Sequence, residues 1–204
     1  IKPIYDIKKG EPKLMKLERI LPFSKSLLKQ FVSDGSIAVD ATCGNGHDTL
    51  FLAQLVGENG KVYGFDIQQE ALKQTTIHLR QAKMQQRVTL FHACHTEMQR
   101  LIPKTLHQQI SSVVFNLGYL PGGNHQITTC ADSTISAVKQ ALNLIQIGGL
   151  VLLIVYPGHE AGKVESHAVF SWVKQLPGDL YDVLHYAFLN KKKAPPYILA
   201  IEKK

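Results

Sequence analysis

Apolar positions recur along the chain in two rhythms. Strand-sized runs stand at 36–40, 61–65, 87–91, 111–115, 149–156, 181–188 and 197–202. Between them, at 47–56, 68–83, 95–102, 131–146 and 160–175, the apolar residues fall at helical spacing. Such alternation predicts right-handed crossovers and a mostly parallel sheet with helices on both faces. The last two runs break the rule, because only the polar segment Asn190 to Pro196 joins them. They predict an antiparallel hairpin at the sheet edge. Ahead of this pattern, Leu14, Leu17, Ile20, Leu21, Leu27, Leu28 and Phe31 mark a helical region that Pro22 should divide or kink. The expected organisation is an N-terminal helical extension over 1–32 and one α/β domain over 33–204. The extension would pack on the sheet or form a dimer contact, which leaves a homodimer open.

Composition changes this picture little. The 204 residues are 45% hydrophobic and 19% charged, as a globular domain requires. No apolar run reaches the roughly 18 residues of a membrane span, and no signal peptide is legible, although the first residue is Ile1. Cys43, Cys94 and Cys130 form neither a CxxC pair nor a zinc set. Reduced thiols, a cytoplasmic location and no metal are therefore expected. The formal charge of +7 makes a polyanion a candidate partner. Lysines gather at Lys2, Lys8, Lys9, Lys13 and Lys16, and again at Lys191, Lys192, Lys193, Lys203 and Lys204. If the two ends share a face, they form a phosphate-binding rim; otherwise they are solvated tails.

The most informative segment is Asp40-Ala-Thr-Cys-Gly-Asn-Gly-His-Asp-Thr49, which reads as strand end, glycine turn and helix start. Glycines there let the backbone bend tightly and approach a nucleotide-like cofactor at the mouth of an open sheet. The dinucleotide pattern G-x-G-x-x-G fails at Thr49, which disfavours NAD and a dehydrogenase, and no P-loop lysine follows. The other candidate is S-adenosyl-L-methionine. Its usual loop, D-x-G-x-G-x-G, is met by Asp40, Gly44 and Gly46, with Thr42 in place of one glycine. Asp66, at the end of the second strand, can accept hydrogen bonds from both ribose hydroxyls. Its other reading is a helix-capping acid. Ile67 could cover an adenine face, Gln68 could assist at the ribose, and His95 follows the third strand. Seven strands with a terminal antiparallel hairpin is the layout of the class I methyltransferase (Rossmann-like) fold.

The fourth strand runs into Asn116-Leu-Gly-Tyr-Leu-Pro-Gly-Gly123, which resembles the N-P-P-Y motif of amino methyltransferases. Strand ends of this kind face the ligand crevice. An Asn oxygen and a backbone carbonyl can accept two N–H bonds from an amine and aim its lone pair. Tyr119 can pack on a planar base, and His125 or water can take the amine's proton. A plain Gly/Pro turn is the alternative for this segment, and a surface position for His125. A third segment, Tyr156-Pro-Gly-His159, could close over the substrate or simply lead into the next helix.

Together, the motifs at 40–49, 115–123 and 156–159 resemble the small bacterial methyltransferases labelled rRNA methylases, over roughly residues 20–204. Members of that family are associated with tRNA wobble-uridine modification, converting 5-aminomethyl(-2-thio)uridine to its 5-methylaminomethyl form. The resemblance implies that Asp40, Gly44, Asn45, Gly46, His47, Asp48, Asp66, Gln68 and His95 serve the cofactor. It assigns Asn116, Gly118, Tyr119, Pro121 and His125 to the substrate side, with Asn116 and Gly118 also near the cofactor. Asn124 departs from the pattern, where an acid is expected. The implied function is N-methylation of a tRNA anticodon uridine, with Asn116, Tyr119 and His125 catalytic. His159, Lys191, Lys192 and Lys193 are candidates for RNA contact. A base amine of rRNA, or a non-catalytic cofactor- and RNA-binding module, is the alternative.

Overall fold

The computed structural model describes residues 17–118, 128–191 and 194–204. Tyr119, Pro121, Asn124, His125, Lys192 and Lys193 therefore lie outside the described residues, as do the lysines before Leu17.

In chain order the elements are α1 (Ile20–Phe31), β1 (Ile37–Asp40), α2 (His47–Leu55), β2 (Lys61–Asp66), α3 (Gln69–Gln81), β3 (Val88–His92), α4 (Met98–Leu101), β4 (Ile110–Asn116), α5 (Ala131–Leu144), β5 (Ile145–Val155), α6 (Glu160–Val173), β6 (Tyr181–Tyr186) and β7 (Tyr197–Lys203). The seven strands form one sheet in the order β3-β2-β1-β4-β5-β7-β6. Strands β1 to β5 pair in parallel, and β7 pairs antiparallel with both β5 and β6. This is the class I methyltransferase layout that the apolar rhythm predicts.

Side-chain alternation along the strands builds two cores. Val151, Leu153 and Val155 of β5 face one cluster with Met98, Ala137, Ala141 and Val169, under α4, α5 and α6. Leu150, Leu152 and Ile154 face the other, with Leu28, Leu52, Val56 and Leu79, under α1, α2 and α3. A strand buried on both sides reads as an unbroken apolar run, which is why β5 is so plain in the sequence.

Several expectations need correction. Pro22 neither divides nor kinks α1. It occupies the helix's first turn, where its missing N–H breaks no intrahelical bond. Helix α1 packs on the sheet, with Ile20 and Leu28 in the core and Phe23 stacked on Tyr186 at 3.9 Å. The 95–102 segment is a 3₁₀ turn followed by the short α4. Strand β5 starts four residues earlier than expected, at Ile145, and takes its turn at Gly148 with φ +72°. Lys203 and Lys204 do not join a rim at the crevice. Because β7 is antiparallel, its end lies at the opposite sheet edge, where Lys203 Nζ donates to Leu142 O and Ile145 O and Lys204 Nζ pairs with Asp182.

Candidate functional site

The parallel strands β1, β2 and β4 end side by side, and the first of these ends is a tightly held loop. Gly44 and Gly46 have φ of +52° and +80°. The Cys43 N–H donates to Phe65 O, the Gly44 N–H to Asp66 Oδ2 and the Gly46 N–H to Cys43 O, all within 2.9 Å. Helix α3 braces the loop from behind: Thr75 Oγ1 donates to Gly44 O and His78 Nδ1 to Asn45 O. A Cβ on Gly46 would lie 2.8 Å from Thr75 Cα, so helix backbone would have to move. Gly46→Ala should therefore cost about 2 kcal/mol or more, from left-handed backbone strain plus the clash. Chemical denaturation checks this; an unchanged midpoint would mean that α3 retreats without cost.

Two adjoining chambers open over the loop. The first, about 140 Å³, is lined by Ala41, Gly44, Asp66, Ile67, Gln68, Cys94 and His95, among others. The second, about 450 Å³, is lined by Asn45, His47, Asp48, Tyr156, His159, Ala194 and Pro196, among others. Thr42, Gly44, Asn116 and Gly118 line both. Asp66 spans the junction of strand and loop: Oδ2 accepts from Gly44 N and Oδ1 from Gln68 N, each at 2.8 Å. Ile67 is 53% exposed, an apolar shelf beside it. His95 Nε2 and Thr128 Oγ1 are buried in the first chamber with no hydrogen-bond partner among the described residues. Burial holds His95 below its ordinary pKa, against a hydrogen bond to the Ala41 backbone, and so favours the neutral ring.

Asp40 and Gly46 line neither chamber. Asp40 is fully buried behind the loop, accepting from Thr49 Oγ1 at 2.6 Å and Thr42 N at 3.1 Å. It shapes the loop rather than touching a ligand, which corrects the cofactor contact expected of it. Burial first, and then Asp48, push its carboxyl from the ordinary 3.8 up to about 7. In the folded protein it holds a proton that the unfolded chain has already released. Its stabilising contribution is thus fully present below about pH 3.8 and is lost as pH rises through about 7. Asp40→Asn has no such proton to lose. Its denaturation midpoints at about pH 5 and about pH 8 should lie closer together than those of wild type. An unchanged gap would remove Asp40 as the source.

The second chamber holds the polar end of Asn116. Its backbone N–H donates to Thr42 Oγ1 at 2.7 Å, and its Nδ2 donates to Asp48 Oδ2 at 3.0 Å. That fixes the side chain and leaves the amide oxygen as its acceptor end. Tyr156 stands nearby with its hydroxyl pKa raised, by burial and then by Asp48. His159 lines the chamber but also caps α6, where Nδ1 accepts from Gly162 N at 3.1 Å. Lys191 does not line it; its Nζ lies 5.7 Å from the Phe188 ring centroid, in a groove outside.

Three groups that sequence reasoning misses hold the site together. Thr75 and His78 brace the loop. Glu165, buried in α6, accepts from Thr129 Oγ1 at 2.7 Å and Thr134 Oγ1 at 2.6 Å. Thr129 in turn exchanges two bonds with the Gly118 backbone. A Glu within an amphipathic helix gives no local signal of such a role. Tyr156 was within reach, since it ends an apolar strand at the crevice.

The electrostatics select the cofactor. Among the described residues no lysine or arginine lines either chamber, whereas Asp48 and Asp66 do. Phosphates would meet repulsion there; a sulfonium and an ammonium group would meet opposite charge. Such a crevice suits S-adenosyl-L-methionine, the cofactor of the class I methyltransferases, to which the sheet order and similar solved structures assign the chain. The chain belongs to the family described as "Putative rRNA methylase", whose model matches residues 62–202. It is 38% identical over 183 residues to the Arabidopsis thaliana protein named "tRNA (mnm(5)s(2)U34)-methyltransferase, chloroplastic", spanning 86% of this chain and 66% of that protein's length. Among solved structures, a "putative rRNA-methylase" from Clostridium thermocellum superposes with a TM-score of 0.90 at 39% identity, covering 93% of this chain and 100% of that one. A "putative methyltransferase" from Streptococcus mutans in complex with SAH gives a TM-score of 0.83 at 35% identity, covering 92% and 99%.

Proposed function

We propose that the protein methylates the aminomethyl nitrogen of 5-aminomethyl(-2-thio)uridine at the wobble position of tRNA, in the cytoplasm. The observation that carries this reading is Asn116, whose side chain is held by Asp48 at the junction of the two chambers. The name of the Arabidopsis relative supplies the nucleoside. Bound S-adenosylmethionine supplies a methyl group activated on a sulfonium.

The chain's own residues do the rest. Asp66 accepts the ribose hydroxyls, Ile67 and Gln68 flank the adenosine, and His95 presents a neutral ring nitrogen to it. Gly44, Asn45, His47 and Asp48 surround the methionine end, where Asp48 also offers opposite charge. The Asn116 oxygen accepts an N–H of the substrate amine and so turns the nitrogen lone pair toward the first chamber. Such orientation supplies several kcal/mol of barrier reduction on its own. The amine must be neutral to attack, so His125 or water receives its proton. Tyr119 and Pro121 pack against the base in this reading, and His159 with Lys191, Lys192 and Lys193 meets the anticodon loop.

The family description favours a second reading, a base amine of rRNA, which the same chamber would serve. Incubation with cofactor and with tRNA or rRNA lacking the modification, followed by nucleoside mass spectrometry, separates the two. The expected result is a gain of one methyl group on 5-aminomethyluridine alone. No gain there, with cofactor binding verified, would end the tRNA reading.

A further inference from the structure

A third depression begins where the second chamber ends. It is open, with a volume of about 520 Å³, and lies over α6 and the segment leading into β7; Ala194 lines both it and the chamber. Its walls combine two kinds of side chain. The His185 ring stands 5.0 Å from Phe170 and 5.1 Å from Tyr197, at 72° and 86°. Phe188 also lines the groove, edge-on to Tyr186, with Lys191 over its ring at 5.7 Å. Lys163, from α6, adds a second cation. No acidic side chain lines the groove among the described residues. Glu160 pairs with Lys163 at 3.1 Å, but both are well exposed, so the pair is worth little and a phosphate can replace it.

We propose that this groove docks single-stranded RNA beside the modified nucleotide, with a flanking base against the His185 ring and its phosphates at Lys163 and Lys191. The proposal rests on the reading that the chamber acts on an RNA amine, and it names the surface that holds that RNA. Phe170 and the buried Tyr197 hold the His185 ring edge-on, and His185 itself is exposed, so it offers a fixed ring against which a planar group can stack. Bases stack on such platforms whatever their identity, while cations follow the backbone. Duplex bases are occupied with one another and cannot enter, so the guest is a loop. An acidic peptide would satisfy the lysines but leave that ring without a planar partner. Continuity through Ala194 lets one nucleotide sit in the chamber while its neighbour sits in the groove.

The test is a titration of an anticodon stem-loop RNA carrying 2-aminopurine next to the target uridine. Wild type should quench the probe. His185→Ala with Phe188→Ala should abolish the quench and weaken binding about tenfold or more. Lys163→Ala with Lys191→Ala should lower the slope of log affinity against log salt by about 0.7 per phosphate, hence about 1.4 for the pair. Cofactor affinity should be unchanged in both, because none of the four residues lines the first or the second chamber. RNA held equally by wild type and variants would overturn the groove while leaving the chamber's reading intact. Competition by polyglutamate as strong as by RNA would overturn it as well. Wild type that neither binds nor methylates RNA would remove both. The lysine pair is exposed, so that arm decides the matter even if the aromatic variant fails to fold.

Discussion

Asn116→Ala should lower kcat about 100-fold while leaving the affinity for S-adenosylmethionine nearly intact. Asn116 ends β4 in the crevice, its backbone N–H is secured by Thr42, and its side chain is aimed by Asp48. Truncation removes only the aiming group: the Thr42 bond uses the main chain, and Asp48 can turn to water. The loss should therefore fall on the step in which the nucleophile must be lined up, and on neither binding event. Single-turnover kinetics with saturating cofactor and RNA, alongside calorimetry of the cofactor, make the measurement. Turnover close to wild type would take Asn116 out of the reaction.

Asp66→Ala should weaken cofactor binding about 100-fold. Two hydrogen bonds to a charged acceptor contribute about 1.5 kcal/mol each at the lower end of the usual range, and about 3 kcal/mol is two decades in affinity. The fold should suffer less, because the Gly44 and Gln68 N–H groups that Asp66 now accepts from are only partly buried. Calorimetric titration with S-adenosylmethionine and S-adenosylhomocysteine checks both ligands that share the ribose. An unchanged Kd for both would confine Asp66 to bracing the loop.

These two positions could be picked out in the sequence because their chemistry is local. Each is a polar residue closing an apolar run, and strand ends in an open α/β sheet face the crevice. The strands could be read for the same reason: burial on both sides leaves runs such as Leu150 to Val155 nothing but apolar residues. Asp40 shows where this reasoning stops. It also closes an apolar run, but Thr49 comes round from α2 to roof it, and that depends on how tightly the loop turns. Glu165 shows the opposite failure. Its partners Thr129 and Thr134 are 36 and 31 residues away, so only the packing of α5 against α6 reveals the contact. Pro22 looks like a breaker in the sequence because nothing local marks that α1 begins only two residues before it, at Ile20.

The placement of β7 has a consequence for biosynthesis. It comes last in chain order yet lies inside the sheet, between β5 and β6, and Ala194 and Pro196 just before it wall the second chamber. A nascent polypeptide paused before Tyr197 has a raw edge on β5 and an unfinished cavity. Competence for methyl transfer thus arrives only after β7 has been made and has threaded home between β5 and β6, so a copy lacking that strand stays idle.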